Sequence, residues 1–349
     1  PPRPAGRRRR SVRPAHAARA GARTAPPRRT RGMLLARALG GAAEAAAEGG
    51  AQGGAGGDKL RVLQFNTLAD GLAQHGDFLR CDARSLQWGA RQPLLEAEIF
   101  RLKPDIIGLQ EVNRYDDWLE AALRARGYES VFLRKEESPC LKYGFPGDGC
   151  VLAWDAARFE RVALDARPYA EAGFRQGAIV ATLRERAQGG RALVVATTHL
   201  KAKPEGAPAR MQQARLLGER LPRAANAMAV PGGARADVVV TGDFNCERSE
   251  GVIDELGEAF GGGGFTDAFV ELQGDGLAFT TWKFRPAKDG GTKEKREWID
   301  YVLYAGADLH VASTLSMPTE EQIGEGALPC DNYPSDHLSV GVELEWKVD

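Results

Sequence analysis

Apolar and polar residues alternate along Leu60–Asn66 (LRVLQFN), the period of a strand with one buried face. Two other runs are apolar without alternation, Ile106–Leu109 in DIIGL and Val238–Val240 in ADVVVTGDFN. Short runs of that kind, rich in β-branched residues, read as strands buried on both faces. Further strands are predicted at Tyr128–Leu133, Cys150–Trp154, Phe159–Leu164, Ala178–Leu183 and Leu193–Thr198, then at Thr280–Phe284, Trp298–Tyr304, Leu309–Thr314 and Leu338–Trp346. Helical spacing marks Gln92–Leu102, which Lys103-Pro104 stops, and Asp116–Arg126, which Gly127 follows. It also marks Arg210–Leu221 and Ser249–Phe260, the last with Ser249 as the expected N-cap. Strands outnumber helices and sit at hairpin spacing. That argues against a doubly wound parallel sheet and for two mixed or antiparallel sheets packed face to face, with helices outside.

The polar residues that end these strands form a pattern of their own. Asn66 follows VLQF, Glu111 follows IIGLQ, His199 follows VVATT, and Asp243 and Asn245 follow VVVTG. Asp300 lies within WIDYVLY, and Asp336 and His337 come just before the last strand. One such residue is an ordinary turn former. A recurrent set of carboxylates, amides and imidazoles is different, because a Glu after DIIGLQ is costly to bury without a partner. A hard cation supplies one, and carboxylates with amides suit Mg²⁺. The implied chemistry is hydrolysis at phosphorus, which needs a cation, a positioned water and donors for the developing charge. No GxSxG elbow or P-loop is present.

Composition changes the picture at the ends. The 349 residues carry a formal charge of zero, yet residues 1–32 hold eleven Arg and no acid. From Asp58 onward 35 basic face 45 acidic side chains, a formal −10. An acidic body disfavours long nucleic acids, which select a basic face. Residues 1–57 are rich in Arg, Pro, Ala and Gly and cannot bury a core, so they are expected to be disordered, and the catalytic domain to span 58–349. The Arg-rich start is similar to a transit peptide for a mitochondrion or plastid; otherwise the expected location is the cytoplasm. Met33 is an alternative start. Five Cys without a CxxC pair argue against a thiolate zinc site and for free thiols. No apolar run is long enough to span a membrane.

Taken in order, VLQFN, DIIGLQEV, DGC at Asp148–Cys150, TTHLKAK, VVVTGDFN, WIDYV and YPSDHLS resemble the endonuclease/exonuclease/phosphatase superfamily. The resemblance covers nearly all of Arg61–Val342 and implies the DNase I-like four-layer α/β/β/α sandwich, an α/β (α+β) fold. Within that superfamily CDARSLQWGAR, KEESPCL, THLKAK and TEEQIGEGALPCDNYPSDHLS are similar to the nocturnin family. That family implies a monomeric Mg²⁺ enzyme, with Mn²⁺ as a substitute, that removes the 2′-phosphate of NADP⁺ or NADPH to leave NAD⁺ or NADH. The alternative it implies is a 3′-exoribonuclease acting on poly(A), a deadenylase. A catalytically dead scaffold is disfavoured, because every expected catalytic position is filled.

The resemblance also implies roles. Glu111 binds the metal with Asn66 close by. Asp243 orients or deprotonates the water, Asn245 and His199 donate to the phosphate, and His337 contacts the phosphoryl group with Asp300 behind it. Asp336 supports the metal site or its water. Lys135, Lys201, Lys203 and Arg285 grip the other phosphates. Lys203 stands where the family pattern has Arg, so a bidentate fork is replaced by a point charge. Pro286–Lys295 departs from the pattern in length and is expected to be a mobile loop.

Overall fold

A computed structural model describes residues 34–40, 58–73, 76–187, 190–226, 236–261, 263–274, 279–307 and 309–347. In chain order the strands are β1 (Leu39–Gly40), β2 (Lys59–Asn66), β3 (Ile106–Val112), β4 (Tyr128–Arg134), β5 (Gly149–Asp155), β6 (Phe159–Pro168), β7 (Gly177–Glu185) and β8 (Ala192–His199). They continue as β9 (Asp237–Asp243), β10 (Thr266–Asp267), β11 (Thr281–Pro286), β12 (Thr292–Glu297), β13 (Asp300–Ala305), β14 (Leu309–Leu315) and β15 (Val340–Trp346). One sheet has the order β1-β14-β15-β2-β3-β5-β4 and a second β10-β13-β9-β8-β7-β6. Each is antiparallel except for one parallel pair, β2 with β3 and β8 with β9.

The two sheets pack face to face. Gly108 of β3 shows how closely: a Cβ there would lie 2.0 Å from Thr241 Oγ1 and 3.0 Å from Thr197 Oγ1 of the other sheet. Helices α1 (Trp88–Ile99) and α2 (Glu120–Arg124) cover the first sheet, with Leu95, Ile99 and Leu123 buried beside Leu63, Ile107 and Leu109. Helices α3 (Ala207–Asn226) and α4 (Val252–Phe260) cover the second, with Leu217, Leu221 and Leu256 against its valines. The layering is therefore two packed sheets with helices outside, as the strand pattern predicts, and matches the four-layer DNase I-like sandwich that the resemblance implies. None of the described helices is long and apolar enough to cross a membrane.

Four local expectations change. Residues 34–40, placed in the disordered segment by their composition, join the fold: β1 pairs with β14, and Leu35 and Arg37 are buried. The rest of residues 1–57 lies outside the described residues. Ser249 does not cap α4. It sits in the 3-10 turn Arg248–Glu250, and the helix starts after Gly251, whose φ of 77° interrupts the helical path. Two short helices, α5 (Ala268–Gln273) and α6 (Glu320–Ile323), were too brief to show a helical period. Finally, Pro286–Lys295 is mostly a hairpin rather than an open loop, because β12 pairs with β11 from Thr281↔Glu297 to Pro286↔Thr292. Its charged sequence, TKEKRE, hides the strand from a hydrophobic pattern.

Candidate active site

Strand register gathers the predicted residues. In the second sheet His199 is the Cα partner of Asp243, and Asp243 is the partner of Asp300 across β13. Three chemically active side chains thus stand in one row across three strands. The other sheet brings Asn66 of β2 next to Gln110 of β3, one residue before Glu111. A bridge between Thr281 and His337 ties in the final loop.

Asp243 is the hub. It is buried, and its carboxylate accepts hydrogen bonds from Asn66 Nδ2 and from the backbone N–H of Asn245, both at 2.9 Å. His199 Nε2 lies 3.5 Å away and His337 Nδ1 3.9 Å. Burial is the largest influence and pushes the carboxyl pKa up. The two imidazoles and the two hydrogen bonds together outweigh it, so the pKa lies below the ordinary value and Asp243 is ionised.

His337 Nδ1 lies 2.9 Å from Asp300 Oδ2. Burial opposes charge on this ring, but Asp300, followed by Asp243 and Asp336, raises its pKa above the usual histidine value. The Asp300 carboxyl is raised too, by full burial, against the lowering influence of His337. It also accepts from Gln64 Nε2 at 3.1 Å. Gln64 pairs amide to amide with Gln110, whose Nε2 reaches Thr197 Oγ1 at 3.0 Å. This buried polar network crosses from one sheet to the other and fixes the imidazole from behind.

Glu111 projects from a register shift in β3, with φ of 55°. Asn245 (φ 54°) and Lys203 (φ 75°) share that unusual backbone. A non-glycine residue at positive φ costs about 1–2 kcal/mol. All three side chains line one cleft of about 1440 Å³, where such strain serves to aim a side chain. Among the described residues Glu111 has one hydrogen bond, a 3.3 Å contact from the Ala69 N–H to Oε2. Its oxygens therefore have lone pairs to spare, as a hard cation that takes few protein ligands and keeps its waters requires. Asp243, Asp300 and His337 also lie within ligand distance of one another. They already hold each other, and a buried imidazole is a poor Mg²⁺ ligand, so this group reads as a proton and charge relay.

Most predicted residues line the cleft, and Asn66 and Asp336 are buried with protein partners. Asn66, expected beside the metal, is fully buried; its amide holds Asp243 and its Oδ1 accepts the Leu68 N–H at 3.0 Å. Asp336, expected near the metal or its water, is bound by Lys283 Nζ, with Arg285 Nη2 at 3.6 Å. Burial raises its pKa and these cations outweigh burial, so it stays ionised. Lys135, Lys201, Lys203 and Arg285 all line the cleft. Lys135 faces Asp148 at 3.8 Å. The loop carrying Lys201 and Lys203 is pinned by α3, where Arg210 Nη1 donates to both their carbonyls at 2.8 Å.

Sequence reasoning missed Lys283. It is buried on β11, 3.3 Å from His337 Nε2, and it lines the cleft. The signal was present: Lys283 and Arg285 are two apart on a strand, so they share a face.

An ionised Asp able to hold a water, an imidazole whose charged form its carboxylate neighbours favour, a buried lysine beside it and a carboxylate with lone pairs to spare together suit attack of water on a phosphate ester. The sequence agrees with that class: the chain belongs to the Endonuclease/Exonuclease/phosphatase family, whose profile matches residues 63–337. It is a phosphoester hydrolase. Among named proteins it is similar to nocturnin. It is 35% identical to nocturnin of Xenopus laevis over 300 residues, 83% of this chain and 73% of the frog protein. Identity to nocturnin of Homo sapiens is also 35%, over 288 residues, 80% of this chain and 64% of the human protein. The structure of the human Nocturnin catalytic domain with bound sulfate anion matches with a TM-score of 0.67 at 29% identity, covering 89% of this chain and 98% of that one.

Proposed function

We propose that the chain is a Mg²⁺-dependent phosphatase that removes the 2′-phosphate of NADP⁺ or NADPH. The observation that carries this reading is the cleft itself. Its volume of about 1440 Å³ exceeds the roughly 300–1,000 Å³ of common ligand pockets, and Lys135, Lys201, Lys203 and Arg285 line it around the relay. A ligand with phosphates at both ends of a nucleoside suits that layout. The acidic body supports a small ligand over poly(A), since long nucleic acids need an extended basic face.

Each residue then has a task. Glu111 would hold Mg²⁺, which when bound polarises a phosphoryl oxygen and neutralises charge. Asp243, ionised and buried, accepts a hydrogen bond from the attacking water and aims its lone pair. Asn245 gives one amide N–H to the Leu200 carbonyl at 3.1 Å and keeps the other for the phosphate. Lys283 Nζ lies 3.3 Å from His337 Nε2, and with the ring protonated an oxygen of the departing phosphate can accept from both. Asp300 keeps the imidazole in orientation while it carries charge.

The test is a side-by-side assay of the purified protein on NADP⁺, NADPH and oligo(A), with Mg²⁺, Mn²⁺ or chelator. The expected result is phosphate release from the dinucleotides, dependent on metal. Shortening of oligo(A) without such release would establish the exoribonuclease reading instead.

A further inference from the structure

The hairpin of β11 and β12 carries four cations on one face. Lys283 is directly opposite Lys295, and Arg285 is directly opposite Lys293. All four line the cleft. The other face holds Trp282 and Phe284, which pack into the core, with Arg296 and Glu294 opposite them. Like charges placed directly across an antiparallel pair destabilise it. Two such pairs in succession, in a hairpin of only six residues a side, oppose its own formation.

The inner cations are already used. Lys283 holds Asp336 and meets His337, and Arg285 lies 3.6 Å from Asp336. The outer ones are less engaged. Lys295 has Glu297 at 2.9 Å as a neighbour on its own strand, and Lys293, exposed at the tip, has no acid within 4.0 Å among the described residues. An anion lying along this face would offset both repulsive pairs at once.

We propose that β12 supplies a second anion subsite, with Lys293 and Lys295 joining Arg285 to bind a diphosphate group at a distance from the phosphate that is cleaved. The ligand class is a nucleotide bearing a diphosphate as well as the scissile monoester. This deepens the phosphatase reading above and rests on it for the identity of the substrate. Lys203, a point charge, lines the same cleft as the two β12 cations.

The experiment compares the full chain with Lys293→Gln and with Lys293→Gln/Lys295→Gln. Two readouts are needed. The first is KM for NADP⁺ against KM for 2′-AMP, which lacks the diphosphate. One lost charge-assisted contact corresponds to about a tenfold change. The ratio of the two KM values therefore rises about tenfold in the single variant and further in the double one, with kcat for NADP⁺ nearly kept. Lys293→Arg restores the ratio. The second readout is binding of inorganic pyrophosphate to metal-free protein by calorimetry. It weakens about tenfold in the single variant and weakens with salt, because exposed charges are screened within about 10 Å. This second measurement does not depend on which ester the enzyme cleaves. If wild-type protein fails to act on NADP⁺ yet binds pyrophosphate through Lys293, the substrate reading is lost and the subsite stands. Unaltered pyrophosphate binding in the double variant overturns the subsite. So does an equal KM rise for both nucleotides, or an effect confined to oligo(A).

Discussion

Ring nitrogen Nδ1 of His337 sits 2.9 Å from Oδ2 of Asp300, and both side chains are sealed from solvent. The proton on this imidazole is therefore governed by one buried carboxylate. Because the His337 pKa is raised above its ordinary 6.5, the pair adds stability fully below that pH and loses it as pH rises through the folded value. Asp300→Asn removes the largest raising influence. The variant's His337 should titrate at lower pH than the wild type in an NMR titration. Its deficit in urea stability should be greatest below pH 6.5 and shrink toward alkaline pH. Loss of the carboxylate that orients the His337 donor should lower kcat by about 10²–10³-fold. An unaltered His337 titration would remove Asp300 from the relay.

Glu111 lines the cleft with a single side-chain hydrogen bond among the described residues, and its backbone is strained at φ 55°. Glycine tolerates that backbone freely. Glu111→Gly should thus melt at or slightly above the wild-type temperature while losing nearly all activity. A ligand that binds only the folded state raises the melting temperature as its concentration grows. Mg²⁺ should do so for the wild type and not for Glu111→Gly, as read by differential scanning calorimetry. A variant that melts far lower would make Glu111 a structural residue.

Much of this site was legible because strand ends repeat a signal. VVVTGDFN, IIGLQE and VVATTH each carry an apolar run that ends in a chemically active group, and the strand register lines those groups up. For Asn66 and Asp336 the family resemblance supplied a place near the metal or its water, but a residue type and a strand end do not say which protein groups a side chain meets. Asn66 turns inward to Asp243 and Asp336 turns to Lys283. The hairpin strand β12 escaped notice because both its faces are polar, one toward the cleft and one toward solvent. Arg37 escaped because its short stretch, residues 34–40, lies between Arg-rich and Gly/Ala-rich runs; its partners lie some 60 to 300 residues away.

Lys283 is the only cation that touches both Asp336 and His337 among the described contacts, and it is buried. Replacing it by Met leaves the Asp336 carboxylate with Arg285 at 3.6 Å as its remaining cation. Removing one partner of a buried ion pair costs about 3 kcal/mol or more. Asp336 has a depressed pKa in the folded state, so its contribution is full above the ordinary value of 3.8 and is lost as pH falls through the folded value. The gap between wild type and Lys283→Met should be widest near neutral pH and narrow as pH falls below 3.8. Urea unfolding at several pH values checks this. A gap independent of pH would mean that Lys283 acts by packing alone.

Arg37 ties the segment ahead of the sandwich to the loop that carries His337. Its guanidinium donates to Glu98 Oε1 at 2.7 Å, to Ser339 Oγ at 2.8 Å and to the Ser339 carbonyl at 2.8 Å. Ser339 lies two residues beyond His337, and Glu98 also receives bonds from Tyr333 and Ser339. The Glu98 pKa is raised by burial and lowered more strongly by Arg37, Arg101 and these hydrogen bonds, so it is ionised and needs its cation. Arg37→Met should therefore destabilise the protein by about 3–5 kcal/mol, as one partner of a fully buried pair is lost. The double variant Arg37→Met/Glu98→Leu removes both charges and should recover much of that loss, since apolar replacements of a buried pair are tolerated. Recovery of stability need not bring back activity: without Arg37 the Ser339 carbonyl loses its donor and only the N–H bond to Tyr333 Oη at 2.8 Å remains, so kcat should stay low while KM for NADP⁺ changes little. Full recovery of kcat in the double variant would show that the strap stabilises the fold without positioning His337.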